Sequence, residues 1–210
     1  MNQFIDDFYD ILFKPALGME RVVRERSVWQ GLIVYLAVSV VSAITTFGTM
    51  DTGEIGGELT QIMPPEAAEA LLRSWPALNL IVILVFTPFL LFLWSAVVQI
   101  SAELLGGKGR GLQVAAGIGY AQLPYILVAP FGLVARYLAF DVVSFVSFAA
   151  FIWTLVLKIE AIRAVHTFTR GRAALAFFLP VLALIAAAIL FFLLVGSFLM
   201  PLMTELFPMT

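Results

Sequence analysis

Four long stretches without a charged side chain, and a fifth shorter one, limit what this sequence can fold into. Residues 27–50 (24 positions), 74–102 (29), 111–135 (25) and 173–204 (32) contain no Asp, Glu, Lys or Arg. The hydrocarbon core of a bilayer requires about 20 helical residues, so each stretch is long enough for one crossing. Residues 142–157 give only 16. That stretch becomes long enough if Lys158 and Glu160 sit at headgroup level, with the lysine stem reaching outward. The sequence therefore predicts an all-α integral membrane protein, a five-helix transmembrane bundle with short interfacial helices. A lone strand cannot satisfy its backbone in lipid, and a barrel would show shorter alternating segments.

The expected organisation is an N-terminal segment over 1–27, a membrane domain over 28–200 and a far-side tail over 201–210. The spans are placed at 28–49, 77–102, 112–135, 142–163 and 174–200. Composition agrees: 62% of the 210 residues are hydrophobic and 12% are charged, about half the charge of an ordinary soluble domain. With no cysteine, disulfides, thiolate metal sites and a cysteine nucleophile are excluded.

The basic residues set an orientation. Lys14, Arg21, Arg24 and Arg26 precede the first span, Lys108 and Arg110 follow the second, and Lys158, Arg163, Arg170 and Arg172 surround the fourth connection. Only Arg73 and Arg136 fall on the other side. The positive-inside rule then places the N-terminus in the cytoplasm and the C-terminus outside. Asp51, Glu54, Glu58, Glu66 and Glu69 crowd the first outer loop.

Outside the spans, Phe4, Ile5, Phe8, Ile11 and Leu12 recur at helical spacing, with aspartates on another face. This reads equally as an amphipathic helix on the inner membrane surface or as a short helix packed on the span ends. Pro64-Pro65-Glu66 opens a short outer helix, anchored by Leu71, Leu72 and Trp75 and ended by Pro76.

Three groups of residues are candidates for function. Glu103, Lys158, Glu160, Arg163 and His166 form an inner-face polar cluster. Glu160 and Arg163 share a helix face at i, i+3, and Glu103 is placed to reach Lys158. Ion pairing for structure is the blander reading, weighed against membrane carboxylates as functional residues. Lys108, Arg110, Arg170 and Arg172 are candidate lipid-phosphate contacts. The first two stand in Gly106-Gly107-Lys108-Gly109-Arg110-Gly111, a tight basic turn whose amides and cations favour anions. It lacks the Ser or Thr and the preceding strand of a nucleotide-binding loop. Gly117, Gly119, Tyr120, Gln122 and Pro124 form a broken-helix element in the third span. Pro124 deprives the Tyr120 carbonyl of its helical partner, a feature of simple packing kinks and also of transporter sites.

No catalytic pattern, cofactor site or metal site is expected; one histidine is a poor start for zinc. Two stretches then resemble a known family. One is Leu105-Gly106-Gly107-Lys108-Gly109 with Gly119-Tyr120-Ala121-Gln122-Leu123-Pro124. The other runs from Trp153-Thr154-Leu155 through Ile162-Arg163-Ala164-Val165-His166 to Gly171-Arg172-Ala173-Ala174. Together with Phe13-Lys14-Pro15, they resemble the YIP-domain family of Ypt/Rab-interacting membrane proteins in its bacterial form. The resemblance implies five membrane helices, a cytoplasmic N-terminus and a short far-side C-terminus. Eukaryotic members bind prenylated Rab GTPases, but this chain lacks their long polar N-terminal region.

The sequence thus points to a non-enzymatic scaffold or adaptor in a bacterial cytoplasmic (inner) membrane. Its expected partners are membrane lipids and other membrane proteins, with no nucleic acid. Ala183, Ala186, Ala187 and Gly196 offer close-packing positions for a homodimer. The alternative is a small ion or lipid transporter or channel built on the broken third span and on Glu103 and Glu160.

Overall fold

The computed structural model describes residues 2–49, 52–134 and 141–206. Asp51 and Arg136 lie outside the described residues, as does the end of the tail, and the side chains of Phe4, Glu54 and residues 200–206 are likewise not described. All regular structure among the described residues is helical: α1 (Asn2–Phe13), α2 (Pro15–Glu25), α3 (Val28–Thr49), α4 (Thr52–Ile62), α5 (Pro65–Leu104), α6 (Gly111–Tyr120), a 3₁₀ turn (Leu123–Leu127), α7 (Val128–Val134), α8 (Val142–His166) and α9 (Arg170–Leu206). Five segments among them are long and apolar enough to cross a membrane: Val28–Phe47, Pro65–Leu104, Gly111–Val134, Val142–His166 and Arg170–Ser197. The protein is a multi-pass membrane protein.

The third span is the axis of the bundle. Every residue from Val114 to Ala121 is buried, whereas α5, α8 and α9 expose Leu, Ile, Val and Phe along most of their length. That much exposed apolar surface is untenable in water and suits lipid. Small residues let the axis sit close to its neighbours. A Cβ on Gly31 would lie 2.7 Å from the Ala116 Cα, and one on Gly119 would strike the Gly31 backbone. A Cβ on Gly117 would lie 2.7 Å from the Ala161 Cβ and 3.1 Å from Val23. Two apolar cores flank the axis. Tyr120 and Ala121 face Ile11, Met19, Val22 and Leu157, while Val114 and Ile118 face Leu91, Val98, Ile162 and Phe177.

One expectation is corrected. Pro76 does not end the outer helix; α5 runs unbroken through both Pro76 and Pro88. Each proline removes one donor, and membrane helices tolerate such losses where neighbouring groups and local adjustments re-satisfy the freed carbonyl. The Ser74 hydroxyl donates to the carbonyls of Ala70 and Leu71 at 2.8 and 3.1 Å in the turn just before Pro76.

α1 packs on the bundle, the second of its two readings, with Ile11 buried and Phe8 and Leu12 half-buried. Asp7 is buried too, while Ile5, Tyr9 and Phe13 are exposed. The cause is pairing: Arg26 Nε donates to Asp7 Oδ2 at 2.7 Å, and Arg21 reaches Asp10 at 2.8 Å and Asp7 at 3.8 Å. α1 and α2 form a hairpin packed on the bundle, so close that a Gly18 Cβ would lie 2.7 Å from the Ile11 amide nitrogen.

Candidate functional site

The start of α3, the end of α5, the start of α6, the end of α8 and the start of α9 share one end of the bundle. The turn between α5 and α6 touches His166, Val165 and Arg172 there. This basic end contains most of the candidate residues. Glu160 is 4% exposed and accepts from two arginines, Arg163 one turn later on α8 and Arg170 Nε at 2.6 Å from α9. A carboxylate with a charge-assisted donor on each oxygen has little capacity left for a substrate. Arg172 donates to the Leu105 carbonyl and lies 4.9 Å over the Phe168 ring, which clamps the start of α9 to the end of α5.

His166 is buried, stacks on Phe168 and accepts the Gly109 N–H at Nδ1, 3.0 Å away. With Nδ1 an acceptor, its proton resides on Nε2, which is buried with no partner among the described residues.

The turn itself is fixed by its glycines. Gly106 has φ +80°, and the N–H groups of Gly106 and Gly107 bond back to Glu103 and Ala102 at 2.8 Å each, the capping pattern of a helix C-terminus. A Cβ on Gly107 would lie 2.5 Å from His166 Nδ1. The amides of Gly106, Gly107 and Gly109 are therefore committed internally, against the expectation that they face an anion. The side chains of Lys108 and Arg110 stay exposed.

The expected Glu103–Lys158 pair is absent. Glu103 accepts instead from Gln99 Nε2 at 2.7 Å, one helical turn away. Lys158 is half-buried and lines a cavity of about 280 Å³ with Tyr35, Leu90, Trp94, Ile118 and Phe177. It has no ion pair among the described residues. Outside the spans, hydrogen bonding to Asp7 raises the Arg26 guanidinium above its ordinary value. Hydrogen bonds from Ser144 hold the Asp141 carboxyl, which caps α8, below its own.

In the third span, α6 gives way after Tyr120 to Ala121, Gln122 and the 3₁₀ turn containing Pro124, and then to α7. Gly117 and Gly119 serve backbone approach, and Tyr120 is 3% exposed in the core. Gln122 differs. It lies beside the Tyr35 hydroxyl, and both line a groove of about 370 Å³ with α3 and the outer half of α5. Reading the sequence span by span missed the other polar residues of this groove, among them Ser39, Ser42, Asn79 and Thr87. Their helical spacing, i and i+3 on α3 and i and i+8 on α5, was the signal available.

No group of three or more metal-ligating side chains occurs among the described residues. Comparison with curated proteins and with solved structures returns no match. The sequence pattern of the Yip1 domain matches residues 9–193, which covers all five spans except the last turns of α9. That match meets a bundle with a central third helix and a helical hairpin packed against it, and the chain belongs to the Yip1 domain family.

Proposed function

We propose that the protein is a non-enzymatic membrane scaffold, with its basic end in the cytoplasm of a bacterium and N-in, C-out topology. It would organise lipids and membrane partners from that face. One observation carries the reading: Lys108 and Arg110 project from a turn held by His166, Ala102 and Arg172, while the buried charges around it are paired with each other. A rigid pair of exposed cations suits anionic headgroups or an acidic partner, each basic residue adding about 1 kcal/mol near such a surface. Replacing both Lys108 and Arg110 with Gln should weaken association with phosphatidylglycerol bilayers or a captured partner about thirtyfold, in a salt-dependent manner. Unchanged association would remove the reading. Tags at the two termini that prove to share a compartment would remove the topology.

The groove favours a second reading, movement of a small polar molecule or lipid. Glu103 and Glu160 do not line it, so this reading no longer depends on them. Flux from liposomes that Asn79→Leu leaves unchanged would count against it.

A further inference from the structure

Two grooves of similar size open on the flank of this bundle, and they differ in what can fill them. One, about 400 Å³, is lined by Leu12, Phe13, Leu127, Val146 and Trp153, with small apolar neighbours. Trp153 Nε1, the one polar side-chain atom of this lining, is buried, so acyl chains meet an apolar surface there. The other is the groove between α3, the outer half of α5 and the 3₁₀ turn. α3 contributes Tyr35, Ser39, Ser42 and Thr46 to it; α5 contributes Asn79 and Thr87; the turn contributes Gln122 and Tyr125.

The placement is selective. From Ala77 to Leu93, Asn79 and Thr87 are the only polar side chains in α5, and both fall on the one half-buried face of that stretch; Leu, Ile, Val and Phe take most of the exposed positions. From Leu32 to Phe47, α3 carries five hydroxyl side chains, and all but Thr45 line the groove. Ser39, Asn79, Thr87 and Tyr125 make no side-chain hydrogen bond to another described residue. Polar groups at hydrocarbon depth are costly when left unpaired, so hydrocarbon is the wrong filling for this groove. Its volume would hold about a dozen waters at roughly 30 Å³ each, the scale of a lipid headgroup.

The groove has no charged residue in its lining, but its neighbour does. The cavity that holds Lys158 shares Tyr35 with it and continues along the same face of α5 toward the basic end. An unpaired ammonium at membrane depth marks a functional position by default, and a phosphate is the anion that a membrane supplies. We propose that this groove and Lys158 together bind the phosphodiester headgroup of a membrane phospholipid. The phosphate lies toward Lys158, and the amine or hydroxyl substituent lies against the hydroxyl and amide wall. A headgroup held there has left the interface, which is the geometry of a protein that handles individual lipids. The inference goes beyond the scaffold reading and does not depend on Lys108 or Arg110.

The test uses full-length protein, stripped of lipid in detergent and titrated with phosphatidylethanolamine, phosphatidylglycerol or diacylglycerol, with bound lipid counted by native mass spectrometry. Binding of either phospholipid, at least tenfold tighter than diacylglycerol, is the expected result. The two phospholipid arms identify the substituent that the wall accepts. Lys158→Met and the double variant Asn79→Leu, Thr87→Val should each weaken it about tenfold. Equal binding of diacylglycerol, or variants that bind like the parent, would overturn the proposal. Should the double variant fail to fold, Thr87→Cys in this cysteine-free chain gives a separate readout. A small water-soluble thiol reagent should label it in lipid-free micelles and fail to do so once phospholipid is added. Labelling that phospholipid does not block means that the groove holds only water, and the proposal falls.

Discussion

At the basic end, Glu160, Arg163, Arg170, Arg172 and His166 each have a protein partner, and Gly107 and Gly109 beside His166 leave no room for a Cβ. In the groove half a bundle away, Ser39, Asn79, Thr87 and Tyr125 have no such partner among the described residues, and the walls stand apart. Charge is usually taken as the stronger sign of function in a membrane protein. Here most of the charge is absorbed by the architecture, because a buried carboxylate is stable only when donors surround it. The uncharged Ser39, Asn79, Thr87 and Tyr125 carry the signal instead, because no described residue satisfies their side chains.

The largest expected effect lies in the tightly packed half. Gly119→Val drives a branched side chain into the Gly31 backbone, a contact that neither helix can relieve by changing a rotamer. It should cost about 3 kcal/mol or more, visible as lost monodisperse yield and a lower thermal unfolding transition in detergent. A well-folded Gly119→Val protein would show that the third helix is not the axis.

Next is Glu160→Ala, which leaves Arg163 and Arg170 without their shared acceptor. Both arginines can turn toward water, so the loss should be about 2–3 kcal/mol rather than the full cost of an isolated buried charge. Arg170→Ala should cost under about 1 kcal/mol, since that side chain is three-quarters exposed. Equal effects at both positions would mean that the network is not centred on Glu160. His166→Ala removes the acceptor for Gly109 and should cost about 1 kcal/mol, with faster amide exchange at Gly109 as its signature.

The smallest effect is at the opposite end. The Asp141 carboxyl is held below its ordinary value by Ser144, so its contribution is complete above the usual carboxylate range near about 4. It is lost as pH falls through the depressed value. Exchange at the Ser144 amide should rise only below that range, and Asp141→Ala should abolish the pH dependence.

Fold class was legible because lipid imposes a length on every apolar segment, and five such segments stand between charges. The break after Tyr120 was legible in Pro124, since a missing N–H is a property of one residue. Other features depend on pairs of distant residues. The burial of Asp7 on α1 follows from Arg26 meeting it, nineteen positions apart, and periodicity alone cannot say which polar residue finds a partner. Continuity of α5 through Pro76 reflects what surrounds the helix rather than the proline itself. The shortness of residues 142–157 treats Lys158 and Glu160 alike; the structure turns the two in different directions, one to a largely apolar cavity and the other to arginines. The groove was missed for a related reason. Asn79 and Thr87 are isolated polar residues in one span, and their meaning emerges only when the hydroxyl stripe of α3 is opposite them.

The contrast between a partnered end and an unpartnered groove is tested most directly by unfolding the Asn79→Leu, Thr87→Val double variant after lipid has been stripped away. If these side chains have no structural task, the variant should match the parent within about 0.5 kcal/mol or exceed it. A loss beyond about 1 kcal/mol would show that they hold the fold together as Glu160 does, and the contrast would fail.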